Sequence, residues 1–233
     1  MGRKRANHSL LGRNLMDYFK YENVNLLYQL MSDCLPPIPK RGVTDELAAK
    51  ILGYNRPDYI ALISMRDRKD VTFSTVEAFA QRLRVPLPIL FDRSCQTIIY
   101  GYYQEALRDG SLPQTFKAEA YLKNFATNIK RTIKENRWEI QRLYSKSPHE
   151  LSPWDGDAVG HSAIHNVLKA SEDKPCNPKI STLGWMALSC GYEWADLGFL
   201  LANPQSLAVD RKNGHRLLTP VNNQNELILI QAP

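Results

Sequence analysis

One sequence pattern occurs twice in this chain, and this repetition limits the folds that the chain can adopt. The first copy spans residues 71–91, and the second copy spans residues 178–198. Each copy contains a Ser-Thr pair, then apolar residues at helical spacing, then a turn and a second short apolar helix. A short helical pattern with polar positions precedes each copy. The repetition therefore predicts two similar helical modules in tandem.

The composition favours a soluble protein of the cytoplasm. The chain has 233 residues, of which 43% are hydrophobic, so it can bury real cores. No segment approaches the roughly 20 apolar residues that span a bilayer. The basic N-terminus has no apolar run of a signal peptide, and Ala6 breaks the myristoylation pattern. Its four cysteines, Cys34, Cys95, Cys176 and Cys190, form no Cys-x-x-Cys pair, which suits reduced thiols. We expect a cytoplasmic location and no membrane partner.

The charge is compatible with a polyanionic partner. The formal net charge is +6, and the pI is about 9.1. The start of the second module is rich in cations: Lys117, Lys123, Lys130, Arg131, Lys134, Arg137, Arg142 and Lys146. Two interpretations of these residues stay open at this point, a solvated helix face and a surface for a polyanion.

Helix signals in the first module are local and specific. Thr44 is a candidate N-cap, acidic residues follow it, and Gly53 stands where the helix should end. Pro57 suits the first turn of the next helix, which is expected to run from Asp58 to Met65. The prolines between positions 36 and 39 form a break that no helix crosses.

The tail differs from the rest of the chain. Residues 216–221 and 226–230 favour β-structure, and Asn222-Asn-Gln-Asn225 between them favours a turn. The expected organisation is a basic arm at 1–13, a helix-turn-helix domain at 14–93, a helical linker at 94–114, a helix-turn-helix-like domain at 115–203, and a tail with a β-hairpin at 204–233.

These parts resemble, in their order, the lambda-repressor-like helix-turn-helix family, also called the XRE or Cro/CI type. In the first copy residues 47–53 resemble the second helix of the family, and residues 58–64 resemble the third. In the second copy residues 125–138 resemble the first helix of the family, residues 139–145 the second and residues 162–168 the third. Residues 177–183 resemble the entry to the fourth helix. The resemblance implies a mainly α fold, with two tandem lambda-repressor-like helical domains and the short β-hairpin.

The same resemblance implies a function. Members of the family bind duplex DNA as transcriptional regulators of bacteria, phages or mobile elements, commonly as two-fold symmetric dimers. We therefore expect a DNA-binding regulator, with repressor favoured over activator, and a homodimer in which the tail hairpin makes the subunit contact. Two departures bear on this expectation, the proline break at 36–39 and an inserted segment at 147–160.

Candidate DNA-binding residues follow from this placement of the third helix in each copy. The N-terminal residues of a recognition helix reach base edges in the major groove, where Arg pairs with guanine and Asn with adenine. The candidates in the first copy are Asn55, Arg56, Asp58, Tyr59, Leu62, Arg66, Arg68 and Lys69. The candidates in the second copy are His161, Ser162, His165, Asn166 and Lys169. The arm residues Arg3, Lys4 and Arg5 complete the set, as phosphate or minor-groove contacts or as a solvated terminus.

Other functional classes have less support. His161 and His165 have the i, i+4 spacing of a shared metal site, but no Glu lies between them and Cys176 and Cys190 lack ligand spacing. We expect no metal, no cofactor and no catalytic residue, because no nucleophile, phosphate-loop or dinucleotide motif is present. Two alternatives to a DNA-binding regulator remain. One is an accessory nucleoprotein factor that uses one module to recruit a protein partner, and the other is an RNA-binding regulator.

Overall fold

The computed structural model describes most of the helical part of the chain. The residues described are 10–20, 22–31, 35–64, 71–110, 118–144, 160–170, 176–193, 196–202, 217–220 and 227–230. The α-helices in this part are α1 (Leu10–Tyr18), α2 (Asn23–Leu30), α3 (Asp45–Leu52), α4 (Arg56–Ser64), α5 (Phe73–Arg82), α6 (Cys95–Asp109), α7 (Ala118–Glu135), α8 (His161–Leu168), α9 (Ile180–Ser189) and α10 (Leu197–Leu201). A first 3₁₀ helix spans Leu87–Phe91, and a second spans Ile140–Tyr144. The expectation of a mainly helical chain is confirmed.

The chain divides into two compact units. The first unit contains residues 1–69 and 77–116, and the second contains residues 70–76 and 117–233. No helix in the described ranges combines the length and the apolarity that a membrane span requires.

Side chains that are fully or almost fully buried form the core of the first unit, and all of its helical segments contribute to it. They include Leu15 of α1, Leu27 of α2, Leu52 of α3, Phe79 of α5, Ile89 of the first 3₁₀ helix and Ile99 of α6. Asn14 forms two buried hydrogen bonds in this core: its Nδ2 donates to the carbonyl oxygen of Leu90 at 2.8 Å and to that of Asp92 at 2.9 Å. These bonds satisfy carbonyls at the end of the first 3₁₀ helix and fix α1 against it.

The segment expected to be a linker is an integral part of the first unit. Residues 94–114 contain α6, whose Tyr103 has no exposed surface. The Tyr103 hydroxyl donates to the carbonyl oxygen of Leu83. The Tyr18 hydroxyl lies 3.2 Å from the Tyr103 hydroxyl. Because α6 buries Ile99 as well as Tyr103, it stabilises the core and does not act as a spacer. The described part of this segment is thus helical, as expected, and contributes to the core of the first unit.

The second unit has buried side chains of its own, contributed by all of its described helical segments. Its fully buried side chains are Phe125 and Ile129 of α7, Leu143 of the second 3₁₀ helix, Ile164 and Val167 of α8, Met186 of α9 and Leu200 of α10. Asn128 Nδ2 donates to the carbonyl oxygen of Leu200 at 2.8 Å. The Thr132 hydroxyl donates to the Asn128 carbonyl at 3.0 Å and lies 2.7 Å from the Tyr192 hydroxyl.

Residues 70–76 belong to the second unit through backbone pairing. Thr72 and Lys179 form an isolated antiparallel bridge. Phe73 N donates to the Pro178 carbonyl at 2.8 Å, and Ile180 N donates to the Val71 carbonyl at 2.9 Å. Each residue of the bridge stands two positions before a Ser-Thr pair, so the bridge joins equivalent positions of the repeated pattern.

The tail contains two short strands, β1 (Leu217–Pro220) and β2 (Leu227–Ile230). They pair antiparallel, with Leu217 opposite Ile230 and Pro220 opposite Leu227. The tetrapeptide expected to form the turn falls in the stretch 221–226, outside the described residues. The hairpin as a whole therefore stays a prediction.

Candidate nucleic-acid interface

The α3–α4 pair of the first unit begins and ends at residues with strong local preferences. Thr44 has extended backbone angles, and its hydroxyl accepts a hydrogen bond from Leu47 N at 3.2 Å, as predicted for an N-cap. Gly53 ends α3 in the left-handed region at φ 76°, with its N–H bonded to the Lys50 carbonyl at 3.1 Å. Only residues 53–55 separate the two helices. The arrangement is thus two helices joined by a short, defined turn.

Asn55 is the N-cap of α4. Its backbone carbonyl accepts from Tyr59 N at 3.0 Å, and its Oδ1 accepts from Asp58 N at 2.9 Å. Its Nδ2 in turn donates to Asp58 Oδ2 at 2.8 Å. A bidentate pair with adenine requires the same amide oxygen and nitrogen. The structure therefore gives Asn55 and Asp58 a role in starting and orienting α4, and the expectation that Asn55 reads adenine conflicts with this cap.

Two predicted base contacts are buried instead. Tyr59 is 2% exposed and Leu62 is 4% exposed, so neither side chain can face a groove in this structure. Tyr59 packs edge-on against Phe19, the residue just after α1, and burial, together with the Asp45 charge, raises the pKa of Tyr59. The sequence interpretation turned Ile60 and Ile63 inward, whereas the structure buries Ile63 and leaves Ile60 half-buried. The cause is a rotation of α4 about its axis relative to the expected phase.

Arg56 remains a surface residue at the start of α4. It is the first residue of the helix and is exposed, with Pro57 after it. The other cations predicted for this copy, Arg66, Arg68 and Lys69, lie outside the described residues, as do Arg3, Lys4 and Arg5 of the arm. Arg56 is thus an exposed candidate at the start of α4, and its contact with a base stays a prediction.

Arg82 of α5 packs against the turn between α3 and α4, a contact that the sequence did not predict. Its guanidinium lies where a side chain at Gly53 would be, with Cζ 2.7 Å from an ideal Cβ position. Its Nη1 also donates a long hydrogen bond of 3.5 Å to the Ile51 carbonyl near the end of α3. A cation at this place complements the negative end of the α3 dipole. Nothing local predicts this contact, because Arg82 is 29 positions after Gly53.

In the second unit α8 keeps the predicted division of its surface. His161, Ser162, His165, Asn166 and Lys169 are all exposed, and Ile164, Val167 and Leu168 are buried. No group of three or more His, Cys, Asp or Glu that could hold a metal occurs in the ranges that the structure describes. The exposed polar face of α8 is suited to hydrogen bonding with a polar partner.

The element before α8 differs from α3. Where the first unit has the eight-residue helix α3, the second has the five-residue 3₁₀ helix Ile140–Tyr144. Leu143 is buried, and its carbonyl accepts from Trp185 Nε1 at 3.2 Å. Ile140 is 43% exposed. Residues 145–159 between this element and Gly160 lie outside the described residues. Sixteen residues, 145–160, separate this element from α8 in the sequence, whereas three separate α3 from α4.

Comparisons with known proteins leave this chain without an identified relative. No family model matches it, no curated protein is significantly similar in sequence, and no solved structure is significantly similar in fold.

Proposed function

We propose that this protein is a sequence-specific double-stranded DNA-binding transcription regulator, in which α4 enters the major groove. The observation that carries the proposal is the α3–α4 pair, in which Gly53 and the Asn55–Asp58 cap set the turn and Arg56 stands exposed at the first position of α4. An α-helix fits a groove about 12 Å wide, and its N-terminal side chains reach base edges.

The charge and the exposed polar faces support the same proposal. A net charge of +6 favours association with phosphate. The polar exposed face of α8 gives the second unit its own surface for DNA. The resemblance to lambda-repressor-like regulators supplies the biological role, a repressor of a bacterium, phage or mobile element. It also supplies the expectation of a homodimer, with β1 and β2 at the subunit contact because a strand edge is a ready pairing surface.

Selection of bound sequences from random duplex DNA tests the proposal. Wild-type protein should enrich one motif, and Arg56→Ala should weaken binding to it by about 1–3 kcal/mol and relax the preference at one base pair. Arg108→Ala is the matched control, because it removes the same charge from an exposed arginine in the last turn of α6. Enrichment of no motif, or preference for RNA over duplex DNA of the same sequence, contradicts the proposal.

A second candidate function is an accessory nucleoprotein factor that recruits a protein. It is favoured by the short 3₁₀ helix before α8 and by the exposed Ile140. The double substitution His165→Ala/Asn166→Ala separates the two functions. If α8 reads bases, the selected motif shortens; if the second unit serves a protein partner, the motif and the affinity stay unchanged.

A further inference from the structure

The helix α7 presents a stripe of positive charge that the base-reading function does not use. Lys123, Lys130 and Lys134 are exposed, and their spacing of seven and four residues places them on one face of the helix. At 1.5 Å per residue the three ammonium groups are distributed along about 16 Å of helix. We call Lys123, Lys130 and Lys134 the α7 stripe.

No acidic residue stands between Lys123 and Lys134 in the sequence. Thr127 occupies the exposed position between Lys123 and Lys130, and its hydroxyl donates back to the Lys123 carbonyl at 2.8 Å. The acidic residues of α7 stand at its two ends: Glu119 comes four residues before Lys123 and so falls on the same face, and Glu135 is about a third of a turn round the helix from Lys123. Arg137, exposed just beyond the helix end, adds a further cation next to the stripe. From Lys123 to Lys134 the charges along this face therefore have one sign.

The opposite face of α7 is fixed in the core of the second unit. Phe125 and Ile129 have no exposed surface, and Asn128 is hydrogen-bonded to the Leu200 carbonyl. A helix that lies in a membrane surface needs a free apolar face. Because the apolar face of α7 is already covered, the stripe suits an anionic ligand in water rather than a lipid surface.

A row of lysines fits a ligand with many regularly spaced negative charges. Lysine ammonium groups contact phosphate as flexible point charges, without the fork geometry that reads a base. Phosphate contacts position a protein on a duplex and contain no sequence information. We propose that the α7 stripe binds the phosphate backbone of duplex DNA and holds the second unit on it independently of base sequence. This inference rests on the proposed DNA-binding function, to which it adds a second contact surface.

The experiment compares two triple variants of the full chain. The first, Lys123→Gln/Lys130→Gln/Lys134→Gln, neutralises the stripe with residues of similar helix propensity. The second, Arg13→Gln/Lys20→Gln/Arg108→Gln, removes the same net charge from exposed positions on and next to α1 and on α6. Circular dichroism and thermal unfolding first establish that each variant is folded. Binding to a random-sequence duplex is then measured over a series of salt concentrations.

The stripe variant should weaken binding several-fold at low salt and flatten the plot of log K against log salt by about 2–3 units, since each phosphate contact contributes about 0.9. Its selected DNA motif should stay the same as that of the wild type. An unchanged slope, or an equal change in the control variant, overturns the inference. Equal competition by polyglutamate, or stripe-dependent binding to phosphatidylserine vesicles, also overturns it. If the wild type binds no duplex DNA at all, the proposed function itself fails, which is a different result.

Discussion

Asn128 of α7 donates a 2.8 Å hydrogen bond from Nδ2 to the carbonyl oxygen of Leu200, the fourth residue of the five-residue helix α10. The first unit contains the same device. There Asn14 of α1 donates, also at 2.8 Å, to the carbonyl of Leu90, the fourth residue of the first 3₁₀ helix. Each bond satisfies a carbonyl at a helix end that has no partner within its own helix. In each unit one buried amide thus joins the first helix to a short five-residue helix later in the chain.

Removal of the Asn128 amide should destabilise the second unit. Asn128→Ala leaves the Leu200 carbonyl buried without its donor, which costs about 1–3 kcal/mol in the free energy of unfolding. Asn128→Asp should cost more at neutral pH, because a buried carboxylate would then face a carbonyl oxygen, and the loss should diminish as the pH falls and the acid becomes a donor. Urea denaturation at several pH values measures both. Asn124→Ala, whose bond to Leu201 is 3.4 Å, is the control and should have a smaller effect.

Gly53→Ala should destabilise the first unit for two separable reasons. The backbone at Gly53 has φ 76°, which costs a residue with a Cβ about 1–2 kcal/mol, and the new Cβ would meet the Arg82 guanidinium. Gly42→Ala isolates the backbone cost, since Gly42 has φ 88° and nothing within 4 Å of its Cβ position. The double variant Gly53→Ala/Arg82→Ala should recover only the steric part. A Gly53→Ala loss no larger than that of Gly42→Ala would show that Arg82 moves aside freely.

Asn55→Ala should lower stability without changing base preference. Loss of this N-cap costs about 1 kcal/mol in the free energy of unfolding, because Asp58 N loses its acceptor. DNA binding should weaken to a similar degree on preferred and random sites, since α4 becomes less ordered at its start. Chemical denaturation and binding to both kinds of site are the measurements. Loss confined to sites with adenine at one position would restore the base-reading role.

Cys95 gives a pH dependence of known sign. Burial, with the charges of Asp92 and Asp17, raises the pKa of its thiol above the ordinary 9.0. As the pH rises, the unfolded chain therefore releases the Cys95 thiol proton before the folded chain does. The free energy of unfolding, at its full value below pH 9, then falls above pH 9 by about 1.4 kcal/mol per pH unit. Cys95→Ala should reduce the loss of stability between pH 9 and 10. The buried Tyr18 and Tyr103 add their own loss only above pH 10, because their pKa values are raised from the ordinary 10.0. Parallel curves for wild type and variant would contradict the assignment.

The tail strands allow a test of the expected homodimer. Truncation after Asn213 removes β1 and β2, and light scattering should then report a monomer where the full chain is a dimer. Binding to a palindromic site should fall far more than binding to a half-site. A full-length chain that is monomeric at micromolar concentration would exclude the homodimer. The two units of one chain would then each bind one of the two half-sites in the DNA.

The sequence by itself determined the features that depend on neighbours a few residues apart. The Thr44 cap, the Gly53 end of α3, the repeated Ser-Thr pairs and the exposed polar face of α8 are all local, because capping bonds and helical periodicity join residues within about four positions. The same reasoning identified the α7 cations, although it left open whether they were more than a solvated face.

Only the tertiary structure decided the phase of α4, the role of α6 and the contact of Arg82 with the turn. Apolar side chains occur on much of α4, so the helix pattern alone does not say whether Tyr59 or Ile60 turns inward. Packing against Phe19, just after α1, places Tyr59 inward. The α6 helix became part of the first unit because Tyr103 finds buried partners on α1 and just after α5. These choices depend on side chains brought together across long stretches of chain, where burial of apolar surface and satisfaction of buried polar groups outweigh local preference.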